Sequence, residues 1–424
     1  MIKIYLKQAW NLLKENPLVS GLSIAGTALA ITAVMMIVLV LQVRTAAYAP
    51  ESARGRMLHA TAMRASVKKN DGNRNNGMMG KRVVRELFYN LKTPQDVSGY
   101  ASNTVSVSSV AKRTFTKYTA TYTDDRFWNI FDFTFLDGVP FNREESESGV
   151  RKAVISNQLA RRLFGETTKA RGQQLLVNQT EYTVCGVVKD VPRTAHFAYS
   201  DIWVPYNSSR KMETPANVYE GLVGGFSVVM LARSTDDFPA IRAEVEKATK
   251  QLNANTAEYD ISFFCGPMSN TDLVISGYNG FNDEIPYGDW ALKQGSFILF
   301  LLVLPALNMI SITLTNFRKR RAEIGVRKAF GATAGNVFGQ VVNENLIITF
   351  IGGVFGLLFS VGLLLLTRDI FFPAGTVFNM SMLIRPATFL VTLFFIFLLN
   401  MLCAGIPAWR AGKYNIVKSL NNQE

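Results

Sequence analysis

The stretch Asn316-Phe-Arg-Lys-Arg-Arg-Ala-Glu-Ile-Gly-Val-Arg-Lys-Ala-Phe-Gly-Ala332 decides how the rest of the chain is read. It stands between two long apolar runs, which makes it a loop or short helix held at one surface of a membrane. Six basic residues, Arg318, Lys319, Arg320, Arg321, Arg327 and Lys328, face a single acid, Glu323. By the positive-inside rule that surface is the cytoplasmic one. Wound as a helix at about 100° per residue, Ala322, Val326, Ala329 and Phe330 share one arc. The opposite arc carries Arg320, Arg321, Arg327 and Lys328, with Ile324 in their midst. A bulky apolar side chain inside a basic face has no lipid or core of its own to bury in. A partner protein would supply one.

Outward from this loop, the 424 residues divide by hydropathy. A hydrophobic content of 48% and a mean hydropathy of +0.13 argue against a purely soluble chain, while 18% charged residues exclude an all-membrane one. The net charge of +13 raises the question of nucleic acid. Residues 47–290, however, hold 29 Lys and Arg against 27 Asp and Glu. Most of the excess therefore lies in short segments beside apolar runs, where it sets topology rather than grips phosphates. Nucleic-acid binding is excluded on that ground.

Residues 1–17 place Ile2, Leu6, Trp10 and Leu13 on one helical face and Lys3, Lys7 and Lys14 on the other, the pattern of a helix lying flat at a membrane interface. An apolar run, Leu18 to Val43, follows within segment 18–46. It is longer than the roughly 20 residues that span a bilayer and longer than a signal-peptide core, so it reads as a first, uncleaved transmembrane helix. Three further spans are expected at about 291–315, kinked at Pro305, 346–366 and 388–406, with the basic loop inside 316–345. Four spans put both termini in the cytoplasm, in agreement with Arg410, Lys413 and Lys418. In the third span Gly352, Gly356 and Ser360 recur every four residues, a small-residue stripe for close helix packing, either on the chain's own helices or at a subunit interface.

Residues 47–290 form the part outside the cytoplasm. Helices are expected at Arg82–Leu91 and Phe238–Leu252, and strands at Thr104–Val110, Ser227–Ala232 and Tyr259–Phe264. Val154–Phe164, ended by Gly165, and Tyr182–Val188 lie between them. The fold class is thus a four-span α-helical membrane protein carrying a large mixed α+β domain. The Gly- and Asn-rich segment Met57–Gly80 reads as a long exposed loop or a disordered one.

Arg321-Ala-Glu-Ile-Gly-Val-Arg-Lys-Ala-Phe-Gly-Ala332 resembles the signature loop of the MacB and FtsX type of ABC-transporter permease. Val154–Gly165, Tyr182–Val188 with Lys189-Asp-Val-Pro192, and the terminal Pro407–Ala411 and Val417–Leu420 are similar to that family too. The resemblance covers nearly the whole chain, most densely in its last third. It implies two β-α-β halves forming a porter-like subdomain, with the middle segment as an inserted, mostly β subdomain. It also implies that Arg320, Arg321, Glu323, Ile324, Gly325, Arg327 and Lys328 form a coupling helix that docks on an ABC ATPase. Residues 291–424 then form the FtsX-like membrane domain.

No residue constellation points to chemistry on this chain. His59 and His196 lack a second ligand at metal spacing and read as solvated or satisfied loop histidines. Asp124–Asp125 and Glu144–Glu145 read as solvated acid pairs, and no spacing supports a bridge between Cys185 and Cys265. No Gly-x-x-x-x-Gly-Lys-Ser/Thr phosphate loop occurs; Gly77-Met-Met-Gly-Lys-Arg82 has the wrong spacing. The chain is therefore expected to be no enzyme and to hold no cofactor or metal, with ATP and Mg on a partner ATPase. The expected assembly is a homodimer in the bacterial inner membrane, with a periplasmic adaptor and an outer-membrane channel as further partners. It would drive peptide or drug efflux from the periplasmic side by mechanotransmission. Lipoprotein release, FtsX-like control of a cell-wall hydrolase and signalling are the alternatives. A receptor would need more cytoplasmic chain than follows Ile406.

Overall fold

The computed structural model describes residues 17–68, 70–110, 114–167, 169–212, 219–278, 280–300, 303, 310, 326, 333–372 and 385–412. The chain divides into a helical unit and an α/β unit, Arg44–Tyr287, and the boundary falls inside the last turn of the first helix.

The helical unit contains α1, Pro17–Thr45, whose residues carry no charge before Arg44. Arg44 stands in the last turn, where a cation complements the negative end of the helix dipole. Among the described residues two helices are long and apolar enough to cross a membrane by length and composition, Gly21–Thr45 and Ile347–Leu366. The apolar part of the last helix, Pro386–Leu398, is shorter. Residues 287–300 are helical, but most of the second expected span lies outside the described residues, as do residues 1–16 of the interfacial helix. The helix containing the third expected span begins at Ala334, well before the apolar run. Hydropathy marks where a helix can face lipid, not where its hydrogen bonds start.

Among the described residues the α/β unit has fourteen strands. In chain order they are β1 (Met57–Ala60), β2 (Met63–Val67), β3 (Asn70–Met79), β4 (Asp96–Ser109), β5 (Thr116–Thr123), β6 (Phe135–Gly138), β7 (Lys152–Ser156), β8 (Gln174–Val177), β9 (Thr180–Val188), β10 (Ile202–Pro205), β11 (Val223–Gly224), β12 (Ser227–Leu231), β13 (Tyr259–Phe263) and β14 (Met268–Ser269). A mixed sheet runs β14-β1-β12-β4-β5-β10-β7-β9-β6, with β8 against β4 and β9; a smaller sheet runs β11-β3-β2-β13. The two longest helices described in the unit are α2 (Asn157–Phe164) and α3 (Phe238–Ala254), beside several shorter ones. Ser156 caps α2 by accepting from the Leu159 amide, and Gly165 ends it at φ +85°, a conformation open to glycine.

The central strands are buried on both faces, and successive side chains enter different cores. From β12, Val228 and Met230 join one core with Ile241 and Val245 of α3, whereas Val229 and Leu231 join another with Phe127, Phe131, Phe141 and Trp203. Such strands read as continuous apolar runs rather than alternating ones, as Ser227–Leu231 does.

The pairing along β4 is divided. Its first part, Asp96–Tyr100, pairs with β12, and Ala101–Val107 pairs with β5. The strands between residues 116 and 205 pair mainly with one another and are hydrogen-bonded into the same sheet through β4. The expectation of a loop or disorder over Met57–Gly80 is overturned, because β1, β2 and β3 occupy it. Met63 and Ala65 are buried while Arg64 and Ser66 are not, and β2 pairs with β13 from Met63 to Val67. The few apolar residues fall on alternate positions, and that spacing outweighs the Asn and Gly composition.

Candidate functional site

Three features of the described residues bear on function. The first is the small-residue stripe. A Cβ on Gly352 would lie 2.9 Å from Thr27 Cγ2, and one on Gly356 2.6 Å from Ile31 Cγ2, so both glycines let their helix close on α1 of the same chain. Thr32 Oγ1 donates to Ala28 O at 2.7 Å and to Gly356 O at 3.3 Å. Ser360 is buried and donates to Leu357 O at 2.8 Å. Ile31, Met35, Leu39, Leu364 and Ile396 form the surrounding apolar cluster. Close approach with interhelical hydrogen bonding is the way helices associate where no hydrophobic effect drives them.

The second is a buried ion pair just after α1. Glu51 and Arg54 are 1% and 2% exposed. Arg54 Nε donates to Glu51 Oε2 at 2.7 Å. Its Nη1 donates to the carbonyls of Arg44 at 3.2 Å and Ala46 at 3.0 Å, and its Nη2 to Thr194 O at 3.0 Å. Glu51 Oε1 accepts from the amides of Phe197 at 2.9 Å and Ala198 at 3.0 Å. The guanidinium lies 4.4 Å from the Tyr48 ring centroid. Burial alone would lower the Arg54 pKa, but the Glu51 carboxylate holds it above its ordinary value. The pair therefore satisfies two carbonyls left over at the end of α1, one loop carbonyl and two loop amides at once. Nothing in the sequence singled out Glu51 or Arg54. Their i, i+3 spacing after an apolar run is the only trace, and it is common.

The third is a pair of buried titratable groups that correct the sequence reading. His59 is no loop histidine. It sits on β1, fully buried, stacked on Phe197 at 3.8 Å, with no hydrogen-bond partner at either ring nitrogen. Desolvation lowers its pKa to about 3. The reason lies in β1, which is enclosed on both faces, so even its polar position faces inward. His196 does lie in a loop and is exposed, 4.4 Å from the Tyr278 ring. Asp124, expected on a solvated face, is buried. It accepts from Ser98 Oγ at 2.6 Å, from Tyr89 Oη and from the Phe127 amide at 3.2 Å. Burial raises its pKa to about 6. Glu144 is exposed, and Glu145 closes a capping box with Asn142 and pairs with Lys152.

Cys185 and Cys265 are both free thiols. No group of three or more His, Cys, Asp or Glu able to hold a metal occurs among the described residues. Of the expected coupling helix, Arg320, Arg321, Glu323, Ile324, Gly325, Arg327 and Lys328 lie outside the described residues.

Among solved structures, the chain is similar to the periplasmic region of MacB from Actinobacillus actinomycetemcomitans, at 12% identity and TM-score 0.36 over 54% of this chain and 95% of that one. It is also similar to the extracellular domain of the ABC-type transporter YknZ from Gram-positive bacteria, at 18% identity and TM-score 0.33 over 48% of this chain and 100% of that one. Among curated relatives, it is 26% identical over 235 residues to the uncharacterized ABC transporter permease YknZ of Bacillus subtilis (55% of this chain, 54% of the relative). It is 25% identical over 252 residues to the macrolide export ATP-binding/permease protein MacB of Escherichia coli O157:H7 (58% and 35%). It is 23% identical over 244 residues to the pyoverdine export ATP-binding/permease protein PvdT of Pseudomonas syringae (57% and 34%). The chain thus spans between a third and about half the length of these relatives. The family model of the FtsX-like permease C-terminal domain matches residues 295–416. That of the MacB-like periplasmic core domain matches residues 20–248, more than half of the chain. With a helix pair, a mixed α/β unit and these two matches in one polypeptide, the chain belongs to the MacB-like family of ABC transporter permeases with an FtsX-like C-terminal domain.

Proposed function

We propose that this permease converts ATP hydrolysis on a partner ATPase into movement of its α/β domain, and thereby drives export of a substrate from the periplasmic side. The observation that carries the proposal is the Glu51–Arg54 pair, which binds the carbonyls at the end of an apolar, membrane-length helix into the loops of a large folded domain. A helix end fixed in this way passes a displacement on instead of fraying. Family membership and the lack of a phosphate loop in the sequence support a separate ATPase. The names of two relatives, one for macrolide and one for pyoverdine export, support an efflux-like role. The proposed assembly is a homodimer in the bacterial cytoplasmic membrane, with both termini inside.

The ATPase contact is proposed at Ile324 within its basic surroundings. Ile324→Asp removes an apolar contact worth about 1.5–3 kcal/mol when buried and adds the desolvation of a carboxylate. ATPase recovery with the tagged, correctly inserted variant should fall roughly tenfold or more. Undiminished recovery would sink the coupling-helix assignment.

A further inference from the structure

The α/β unit contains a polar cleft of about 560 Å³ beside α2 that the proposed function does not use. Lys117 of β5, Arg161 and Arg162 of α2, and Arg193 after β9 line it together with Asp190 and Asp201. Its volume falls within the range of small-molecule sites, but such sites are mostly apolar. Val191 is the only aliphatic side chain among the residues lining this one.

The two signs of charge are engaged differently. Both acids are taken up by amides. Asp190 Oδ1 accepts from the Gln158 amide at 2.7 Å and its Oδ2 from Asn157 Nδ2 at 3.5 Å, while Asp201 Oδ2 accepts from the Thr119 amide at 2.9 Å. The cations are not taken up by acids. None of the four forms an ion pair within 4.0 Å of a carboxylate among the described residues, and Arg162 and Arg193 act on Asp201 only at longer range. One guanidinium lies over a phenol ring instead: Arg193 is 5.2 Å from the Tyr199 ring centroid, while Arg162 lines the cleft together with Tyr118. A guanidinium resting on a ring face is oriented and still has donors to spare. Four cations against two carboxylates leave two positive charges uncompensated in one concave place.

We infer that this cleft is a binding site for a small dianionic ligand bearing carboxylate or phosphate groups. Arg193 supplies an oriented fork, and Lys117, Arg161 and Arg162 supply charge. Every residue in it belongs to the α/β unit, so binding can be measured without the ATPase partner. Charge-assisted contacts at exposed positions weaken with salt, so affinity should fall as ionic strength rises.

The test uses the full chain in phosphatidylcholine nanodiscs, titrated calorimetrically at low salt and pH 8 with succinate and, separately, with inorganic phosphate, both dianions there. Saturable binding of either anion at one per chain is expected; the one that binds identifies the group recognised. Arg162→Gln and Arg193→Gln should each weaken it by roughly tenfold. Arg193→Lys, which keeps the charge and loses the fork, should fall between. The control Lys247→Gln/Lys250→Gln removes two exposed charges from α3 and should leave affinity unchanged. No saturable binding of either probe, or equal weakening in the α3 control, would overturn the proposal.

Discussion

Replacing Arg54 with Met should be among the most damaging single changes in the α/β unit, because the methionine fills the volume but leaves Glu51 behind. A carboxylate 1% exposed would then keep two amide donors and lose its counter-charge. Breaking a buried pair by removing one partner costs about 3–5 kcal/mol. Against a typical domain stability of about 5–15 kcal/mol that is a large fraction. It corresponds to a fall in melting temperature of roughly 6–20 °C for a unit of this size. Glu51→Gln should cost less. Its amide oxygen still accepts from Phe197 and Ala198, and Arg54 still reaches three carbonyls. The double variant Glu51→Met/Arg54→Met should be more stable than Arg54→Met alone, since no bare charge remains. The assay is thermal unfolding of the full chain in detergent, followed by tryptophan emission. Trp203 is buried in the core to which Phe197 belongs and so reports on this region. A loss below about 1 kcal/mol for Arg54→Met, or a double variant worse than the sum of the singles, would refute the reasoning.

Two further outcomes are expected. The folded pKa of His59, about 3, lies below its ordinary 6.5, so its contribution to stability is full above pH 6.5 and is lost as pH falls toward 3, in all about 5 kcal/mol. The folded pKa of Asp124, about 6, lies above its ordinary 3.8, so its contribution is full below pH 3.8 and is lost as pH rises through 6, about 3 kcal/mol. The two slopes oppose each other between pH 4 and 6. His59→Phe should therefore raise the melting temperature at pH 5 and uncover a decline from pH 4 to 6; an unchanged pH profile would contradict it. In the helical unit, Gly356→Ala should lower thermal stability in detergent more than Gly353→Ala. The first Cβ meets Ile31 Cβ at 2.7 Å and the Ala28 carbonyl at 3.0 Å, while the second meets the movable Leu393 Cδ1 at 2.5 Å. Equal losses would show that α1 yields freely.

Much of the α/β unit was legible from periodicity and end signals. Phe238–Leu252 announced its helix by an amphipathic repeat, and Gly165 marked the end of α2. What stayed hidden depended on partners distant in sequence. Met57–Gly80 looked like loop because its strands draw their apolar neighbours from Ser227–Leu231 and Tyr259–Phe263, more than a hundred residues away. His59 and Asp124 looked solvated for the same reason. Burial on two faces is a property of the assembled sheet, and a lone polar residue carries no local sign of it. Arg54 was one of many arginines until its carbonyl partners, from Arg44 to Thr194, stood around it.

The divided pairing of β4 ties two parts of the sheet to one strand, because its first residues serve β12 and its later ones β5. Excising residues 116–205 would not return a smaller working domain. It would bare the hydrogen-bonding groups of Ala101–Ser109, a sticky edge of the kind that invites pairing with other chains.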